Sequence, residues 1–473
     1  MYKLTFTLKQ HTPIIHFQHE QEGATLRASE VKPKLDKFLI ERLQLTQVIQ
    51  KDNKPVEVPK QQFAKWFNNS EHLSLNYKLR FAENNSQKIP IENFHKNAPM
   101  YFGNMGDDAI PKHFKLIDLT NVSIISFNSD FLDSIRIILY EFFFGQNFGT
   151  RQSKGYGSFE VVSINGDENI VKKQVCDFSF SIEASGWFEV LTKVNLFYRS
   201  LRSGINEVAS INYTSPFNNT IAHKQQITSS KFYFKPLIFI YAKHLQRQWD
   251  KKTIKQYFLN SDYVYRKLIF KEKQKPNINW AIGDAEKMEE LSLKKHIITH
   301  NSSDILTYSE LNNDNHFFLD YKDLFGLSNL EAWKSYGKTI VKKNATNLSQ
   351  PKTFSEKNKK DPDYVERFKS PLTFKILKTN QNQYTVYVII DEPSDIYKGQ
   401  KFIIYDRVGC TSSNLCLKIP EDFSFSNFFK FIRAKENFDI EKHVENKFKN
   451  TPDGKPYFQT LKTIYNQIQT NPL

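Results

Sequence analysis

The sequence predicts an α+β protein of two ferredoxin-like (β-α-β-β-α-β, RRM-like) domains, the second elaborated with helical insertions. The chain has 473 residues, which is more than one ordinary domain holds. Its hydrophobic content of 39% is ample for buried cores. Strand-like and helix-like periodicities follow one another in the β-α-β-β-α-β order through the first third of the chain. We therefore expect a first domain over 1–166 and a second over 167–473.

The hydrophobic pattern predicts each element of the first domain. "YKLTFTL" alternates apolar and polar residues, as a half-buried strand does. Ser29 then precedes apolar residues at helical spacing, which predicts a helix with Ser29 as its N-cap. "LSLNYKLRF" and "VSIISF" predict two more strands, "DFLDSIRIILYEFFF" predicts a deeply packed helix, and "FEVVSI" predicts the last strand.

The second half gives a less complete pattern. "GWFEVLTKVNLFYRSLRSG" predicts a helix that ends at Gly204. "KFYFKPLIFIYAKHLQRQW" is either a strand that runs into a helix or one buried helix. A polar stretch over 341–367 predicts a surface loop, and "LTFKILKTNQNQYTVYVIID" predicts a hairpin. "FSFSNFFKFIRAK" and "YFQTLKTIYNQIQ" predict closing helices, but the strand order of this half does not follow from the pattern.

A glycine-rich basic loop follows the second helix. "GQNFGTRQSKGYGSF" holds four of the 16 glycines of the chain. Glycine allows positive φ and leaves backbone amides open, so the loop is a candidate phosphate-binding segment, with Tyr156 as a candidate base-stacking ring. The alternative is a tight connection whose charges serve only solubility. The candidate RNA-binding residues here are Gly149, Arg151, Ser153, Lys154, Gly155, Tyr156 and Gly157.

The charge of the chain favours an anionic partner. The formal net charge is +15, which is most often associated with nucleic acid and otherwise with a membrane surface. The sequence shows neither a signal peptide nor an apolar run long enough to span a membrane, so no membrane partner is expected. Three cysteines without a C-x-x-C pair make disulfides and a zinc ribbon poor interpretations. We expect a cytoplasmic protein without cofactor or bound metal.

A basic cluster marks the start of the first helix. A helix N-terminus attracts anions, and nearby cations strengthen that attraction. A solvated lysine face is the alternative, and it fits Lys34 and Lys37 as well as anion binding does. The cluster consists of Arg27, Lys32, Lys34 and Lys37.

Four stretches resemble a known family. "FGTRQSKGYGSFEV" and the segment "TPIIHF…EGATLRASEVKPKLDKFL" resemble the glycine loop and helix entry of the RAMP superfamily of CRISPR-associated RNA-binding proteins. "DYKDLFGLS" and "RFKSPLTFKILK" are similar to the "FGLP" and "R-x-SPL" segments of the first RAMP subunits of type III-B Cmr effector complexes. The sequence departs from that pattern at Ser328, where proline is usual, and at Lys369, where a small residue is common.

The resemblance implies a non-catalytic, RNA-binding subunit of a type III CRISPR effector complex. Its partners would be guide RNA, target RNA and other RAMP subunits. Arg27 matches the arginine of the family's helix entry. Lys369, beside Arg367, would contact RNA or a neighbouring subunit, or else be plain surface charge.

Two other functions stay open. A histidine can deprotonate a ribose 2′-OH, so His16 and His19, which lie with His11 in the first loop, are candidates for a metal-independent endoribonuclease that processes CRISPR repeat RNA. A scaffold that binds only proteins is the third interpretation. "MGDDAIP" is better explained as a loop than as a polymerase-type palm, and the pair His296 and His300 lacks the glutamate of an H-E-x-x-H zinc motif.

Overall fold

A computed structural model describes most of the chain in two compact units. The described residues are 1–15, 26–69, 73–82, 87–90, 113–214, 224–245, 318–328, 330–333, 338–344, 368–392, 397–406 and 415–470. The first unit comprises Met1–Tyr198, Leu372–Asp391 and Thr460–Leu473, and the second comprises Arg199–Pro371 and Glu392–Gln459. Both units therefore draw on separate parts of the chain, and they do not divide at the predicted boundary between 166 and 167.

The described elements mix strands and helices, which confirms the α+β class. The strands are β1 (Tyr2–Gln10), β2 (Thr46–Lys51), β3 (Lys54–Pro59), β4 (Phe67–Asn69), β5 (Ser74–Leu75), β6 (Lys78–Phe81), β7 (Gln87–Pro90), β8 (His113–Leu116), β9 (Leu119–Ser126), β10 (Phe159–Ile164), β11 (Phe178–Glu183), β12 (Ile205–Thr214), β13 (Lys224–Phe234), β14 (Phe318–Leu319), β15 (Leu330–Trp333), β16 (Lys338–Asn344), β17 (Leu372–Asn380), β18 (Gln383–Ile390), β19 (Lys401–Asp406) and β20 (Leu415–Lys418). The α-helices are α1 (Ala28–Arg42), α2 (Ser129–Gly145), α3 (Trp187–Arg202), α4 (Leu237–His244), α5 (Phe425–Arg433), α6 (Ile440–His443), α7 (Asn446–Lys449) and α8 (Lys455–Thr470).

An antiparallel four-stranded sheet organises the first unit. Its strand order is β10-β1-β9-β6, and α1 and α2 lie between strands along the chain, so the predicted β-α-β-β-α-β order is present. One face of the sheet is apolar because alternate residues such as Leu4, Phe6 and Leu8 point to it. These residues form one core with buried residues of both helices, including Leu35 and Phe142.

Two predicted details of this half are wrong. α1 begins at Ala28, so Ser29 lies inside its first turn and Arg27 occupies the N-cap position without a side-chain capping bond. "LSLNYKLRF" is not one strand, because the Asn76 N–H donates to Trp66 O and separates β5 from β6. β5 pairs with β4 instead.

A second sheet joins distant parts of the chain within the first unit. β17 and β18 form the predicted hairpin, and β18 also pairs with β11, giving the order β11-β18-β17. This hairpin was expected in the second domain. It belongs to the first unit because its backbone hydrogen bonds go to β11.

The second unit contains a different arrangement of strands. β12 pairs with β13, which runs into α4, and a five-stranded sheet has the order β14-β20-β19-β16-β15. The described residues of this unit do not repeat the four-stranded order of the first. The predicted polar loop over 341–367 begins inside β16, where Lys342 is buried and paired with Asp323, and its remainder lies outside the described residues.

The two later stretches of the family resemblance lie side by side in the second unit. Gly326, of the "DLFGLS" stretch, has φ +119, and a Cβ atom there would lie 3.1 Å from the Ser370 nitrogen. Ser370 belongs to the "KSPL" stretch, so a small residue at 326 is needed for this close approach. Within the part of the chain described, no helix combines the length and apolar character needed to cross a membrane.

Candidate nucleic-acid interface

The glycine loop packs against the first two turns of α1. The Gly149 N–H donates to Glu30 Oε1 at 2.6 Å, and Lys34 Nζ donates to Gln152 Oε1 at 2.9 Å. The structure therefore brings together the two basic segments that the sequence singled out. We call residues 27–34 and 147–155 the helix–loop corner.

The glycines of the loop allow close approach of protein backbone, not of phosphate. Gly157 has φ +65, and a Cβ atom there would lie 1.9 Å from Phe148 O. Its N–H donates to Pro13 O at 2.9 Å, and the Gly155 N–H donates to Gln152 O at 3.2 Å. The N–H groups of Gly149, Gly155 and Gly157, which were expected to hold phosphate oxygens, therefore all donate to oxygen atoms of the protein. That part of the prediction is wrong.

Three predicted RNA-binding side chains are also committed inside the protein. Tyr156 is 1% exposed, and burial raises the pKa of its hydroxyl, so its ring is not available to stack on a base. Lys154 Nζ is buried and lies 2.9 Å from the centroid of the Tyr198 ring. Lys32 Nζ donates to Asp36 Oδ2 at 2.7 Å and to the Leu75 carbonyl at 2.9 Å.

Arg151, Arg27 and Ser153 remain as candidates at the helix–loop corner. Arg151 has φ +59 and is half-buried, and this burial lowers the pKa of its guanidinium. No carboxylate among the described residues pairs with it. Arg27 is half-buried at the N-cap position of α1, where the helix dipole attracts anions. The corner thus holds a partly desolvated cation beside a helix N-terminus.

The remaining residues predicted to bind RNA or to act in catalysis lie in the second unit or outside the described residues. Lys369 is exposed in the second unit, and its role stays a prediction. His16 and His19, the "MGDDAIP" segment, His296, His300 and Arg367 lie outside the described residues.

His11 is a structural residue of the first unit. Its Nδ1 accepts a hydrogen bond from the Lys378 N–H at 2.8 Å, so the neutral ring carries its proton on Nε2, which lies 3.4 Å from Glu160 Oε2. Burial lowers the pKa of His11. Burial also opposes ionisation of Glu160, but the nearby His11 ring and the hydrogen bond from Lys172 outweigh it and lower the pKa of Glu160 to about 2.

Lys375, which no sequence motif singled out, is fully buried in β17. Its ammonium donates to three backbone carbonyls, those of Phe143 at 2.6 Å, Gln146 at 3.0 Å and Phe159 at 2.6 Å. Burial lowers the pKa of Lys375, but only the ammonium has three N–H donors to match three acceptors. The available signal was a lone charge inside the apolar run "LTFKIL".

Among the residues that the structure describes, no group of three or more histidine, cysteine or acidic side chains could hold a metal ion.

Comparison with known proteins identifies the family. The family model of the Cmr1 N-terminal domain matches residues 1–205, and that of the Cmr1 C-terminal domain matches residues 233–463. No curated protein sequence matches the chain.

Two solved structures are similar to parts of the chain. Apo Cmr1 from Pyrococcus furiosus is 11% identical, with 48% of this chain and 94% of that one covered and a TM-score of 0.29. The type III-B Cmr-β complex bound to cognate target RNA contains a chain that is 16% identical, with 34% and 59% covered and a TM-score of 0.20. TM-scores this low carry no weight, so the assignment rests on the two domain models. Since these models account for both halves in order, the chain belongs to the Cmr1 family, as a Cmr1-like RAMP protein of type III-B.

Proposed function

We propose that the protein is an RNA-binding subunit of a type III-B CRISPR effector complex, in contact with guide RNA, target RNA and neighbouring RAMP subunits. Membership of the Cmr1 family supports the place in such a complex. The net charge of +15 supports an anionic partner. Sequence specificity would come from base pairing of the guide, as in other RNA-guided systems, while the protein contacts the RNA backbone.

The single observation that carries RNA binding is the environment of Arg151. The Arg151 guanidinium has lost part of its hydration and has no carboxylate partner among the described residues. The free-energy cost of that lost hydration is therefore not offset by an ion pair. A phosphate would compensate it through paired N–H···O bonds, which arginine forms well because of its planar fork. Arg27 at the N-cap of α1 would hold the next phosphate.

We also propose that the protein does not cleave RNA by itself. His11, the described member of the three loop histidines, is buried and turned to Lys378 and Glu160, so it does not face a ribose. The alternative endoribonuclease then depends on His16 or His19.

The test is a binding and cleavage assay in EDTA with a labelled single-stranded RNA that carries a CRISPR repeat. We compare wild type, Arg27→Gln/Arg151→Gln and the charge-matched control Lys430→Gln/Lys435→Gln, whose lysines are exposed and lie outside the predicted sites. Loss of two phosphate contacts reduces the magnitude of the slope of log K against log salt by about 1.4. Relative to wild type, the variant then loses about 25-fold more affinity at 0.1 M salt than at 1 M salt. The control should keep the wild-type slope.

Three outcomes decide the proposal. If the RNA stays intact and Arg27→Gln/Arg151→Gln binds it more weakly than wild type does, the result supports an RNA-binding subunit that does not cleave RNA. A wild-type chain that binds RNA no better than an unrelated protein of equal charge refutes RNA binding and favours the protein-only scaffold. Cleavage at one site in EDTA that disappears in His16→Ala or His19→Ala establishes the endoribonuclease instead.

A further inference from the structure

The four-stranded sheet of the first unit has a second, polar face opposite the apolar one. Residues that alternate with the core residues point to it, because successive side chains of a strand lie on opposite faces. The cross-strand pairing places Lys3 and Lys78 on either side of Ile125, and it places Arg80 beside Ser123. Lys3 on β1 and Lys78 and Arg80 on β6 thus lie on one face, on either side of β9, and we call this surface the basic sheet face.

The spacing of these cations suits a chain of phosphates. Lys3 and Lys78 are two strands apart, roughly 9.6 Å, and Arg80 is two residues from Lys78, roughly 6.8 Å. All three side chains are exposed, and none forms an ion pair with another described residue. The same face also carries neutral hydroxyl and amide groups, such as Thr7, whose Oγ1 donates to Asn121 Oδ1 at 3.0 Å. The face therefore has a positive charge that the described protein does not neutralise.

Protection of a sheet edge is the alternative explanation of this pattern. β6 is an edge strand in the sheet, and lysine or arginine on an edge discourages pairing with other chains. β1 lies between β9 and β10, but its pairing with β10 begins at Phe6, so Lys3 is paired on the β9 side alone. Edge protection predicts no change in RNA binding when these cations are removed, and the test below measures that change.

An exposed aromatic residue lies at the end of the same face. Phe127 directly follows β9 and is 78% exposed. Its neighbour across the sheet is the start of β1, where Tyr2 pairs with Ser126. Cations that follow a backbone, combined with an aromatic ring that receives a base, are the combination by which proteins bind single-stranded nucleic acid.

We infer that the basic sheet face is a second RNA-binding surface, distinct from the helix–loop corner, which takes single-stranded RNA. Lys3, Lys78 and Arg80 contact consecutive phosphates, and Phe127 stacks on an unpaired base. This inference rests on the proposed function and adds to it the strandedness of the RNA and the surface that holds it. An anionic membrane would meet the same three cations, so vesicles are one arm of the test.

The test uses the full chain and a fluorescein-labelled 20-nucleotide oligo(U). We compare wild type, a sheet-face triple variant (Lys3→Gln/Lys78→Gln/Arg80→Gln) and a control triple variant (Lys430→Gln/Lys435→Gln/Lys442→Gln), which removes equal charge from other exposed positions. Three lost single-strand phosphate contacts lower the salt slope by about 2, or about 100-fold in affinity at 0.1 M salt relative to 1 M. The control triple should keep a slope close to that of wild type. Thermal unfolding should be alike in all three proteins, because every altered side chain is exposed.

Phe127→Ala separates stacking from charge. Loss of one base stack weakens oligo(U) binding about fivefold or more and leaves the salt slope unchanged, whereas Phe127→Tyr keeps wild-type affinity. Equal loss of affinity in Phe127→Ala and Phe127→Tyr would contradict stacking.

The outcomes distinguish this inference from the proposed function. Suppose that wild type binds oligo(U), and that the triple variant at Lys3, Lys78 and Arg80 has the same salt slope as the control triple variant. Then the basic sheet face is not an RNA surface, while the proposed function stands. If wild type binds no RNA, both fail. If the sheet triple loses binding to vesicles of phosphatidylserine as steeply as to oligo(U), or if wild type prefers duplex RNA, the assignment to single-stranded RNA is overturned.

Discussion

Lys375 offers the most direct test of how the first unit is held together. We consider Lys375→Met, which keeps an unbranched side chain, one heavy atom shorter, and removes its three donors. The change leaves the carbonyls of Phe143, Gln146 and Phe159 without the hydrogen bonds that they accept in the wild-type protein.

The expected cost follows from the kind of group left unsatisfied. Each buried carbonyl without a donor costs about 1–3 kcal/mol, and loss of a buried charged partner typically costs about 3–5 kcal/mol in total. Removing the buried ammonium also relieves its own desolvation, which keeps the sum near the lower range. We expect a loss of about 4 kcal/mol in the free energy of unfolding of the first unit.

Hydrogen exchange of the α2 amides, measured by mass spectrometry on peptides from 129–145, reports this unit alone. A loss of 4 kcal/mol accelerates their exchange about a thousandfold. The matched control is Lys378→Met, three residues along the same strand, whose side chain is exposed. Equal protection of α2 in the two variants would refute the proposed role of Lys375.

Two further predictions concern a glycine and a buried histidine. Gly157→Ala should destabilise the protein by about 3 kcal/mol or more in urea unfolding, because its methyl group would overlap Phe148 O. Gly166→Ala, also at positive φ but with open space around it, should cost only about 1 kcal/mol, and similar costs would disprove the steric explanation. Burial lowers the pKa of His443 to about 4, so the unfolded chain binds more protons than the folded one between about pH 4 and 6.5. Stability should therefore fall as pH drops through that range, by about 2 kcal/mol from pH 7.5 to pH 5 on account of this residue. His443→Phe should remove that part of the urea midpoint shift, and a variant with an unchanged pH profile would contradict it.

Local patterns predicted the elements of the first unit but not their partners. The alternation in "YKLTFTL" and the apolar run "DFLDSIRIILYEFFF" correspond to β1 and α2, since both signals depend only on neighbouring residues. The hairpin β17–β18 was predicted as well. Its place in the first unit was not, because pairing with β11 joins residues about two hundred positions apart, and no local pattern encodes that distance.

The glycine loop was singled out from the sequence, but the partners of its backbone amides were not. Composition marked the loop after α2 correctly as unusual, but glycine allows close approach to any backbone. In this loop the approaching backbone is that of the protein, at Pro13 and Phe148. Pro13 is far away in the sequence, and nothing in the sequence around Phe148 marks it as the contact of a glycine. The alternation of β1 and β6 also places Lys3 and Lys78 on the polar face of the sheet. Alternation alone predicts only that such residues face solvent, not that they bind a ligand.

The return of the chain to its first unit has a consequence for biosynthesis. A ribosome that has made residues 1–198 has not yet made Leu372–Asp391 or Thr460–Leu473, which belong to that unit. Until β17 emerges, the carbonyls at the end of α2 lack Lys375 and β11 lacks its partner β18. The amino-terminal unit therefore waits for more than 260 further residues before all of its segments exist, which takes roughly 13–52 s at about 5–20 residues per second. During that interval β11 has no strand partner on its β18 side, and an unpaired strand edge favours aggregation of a nascent chain.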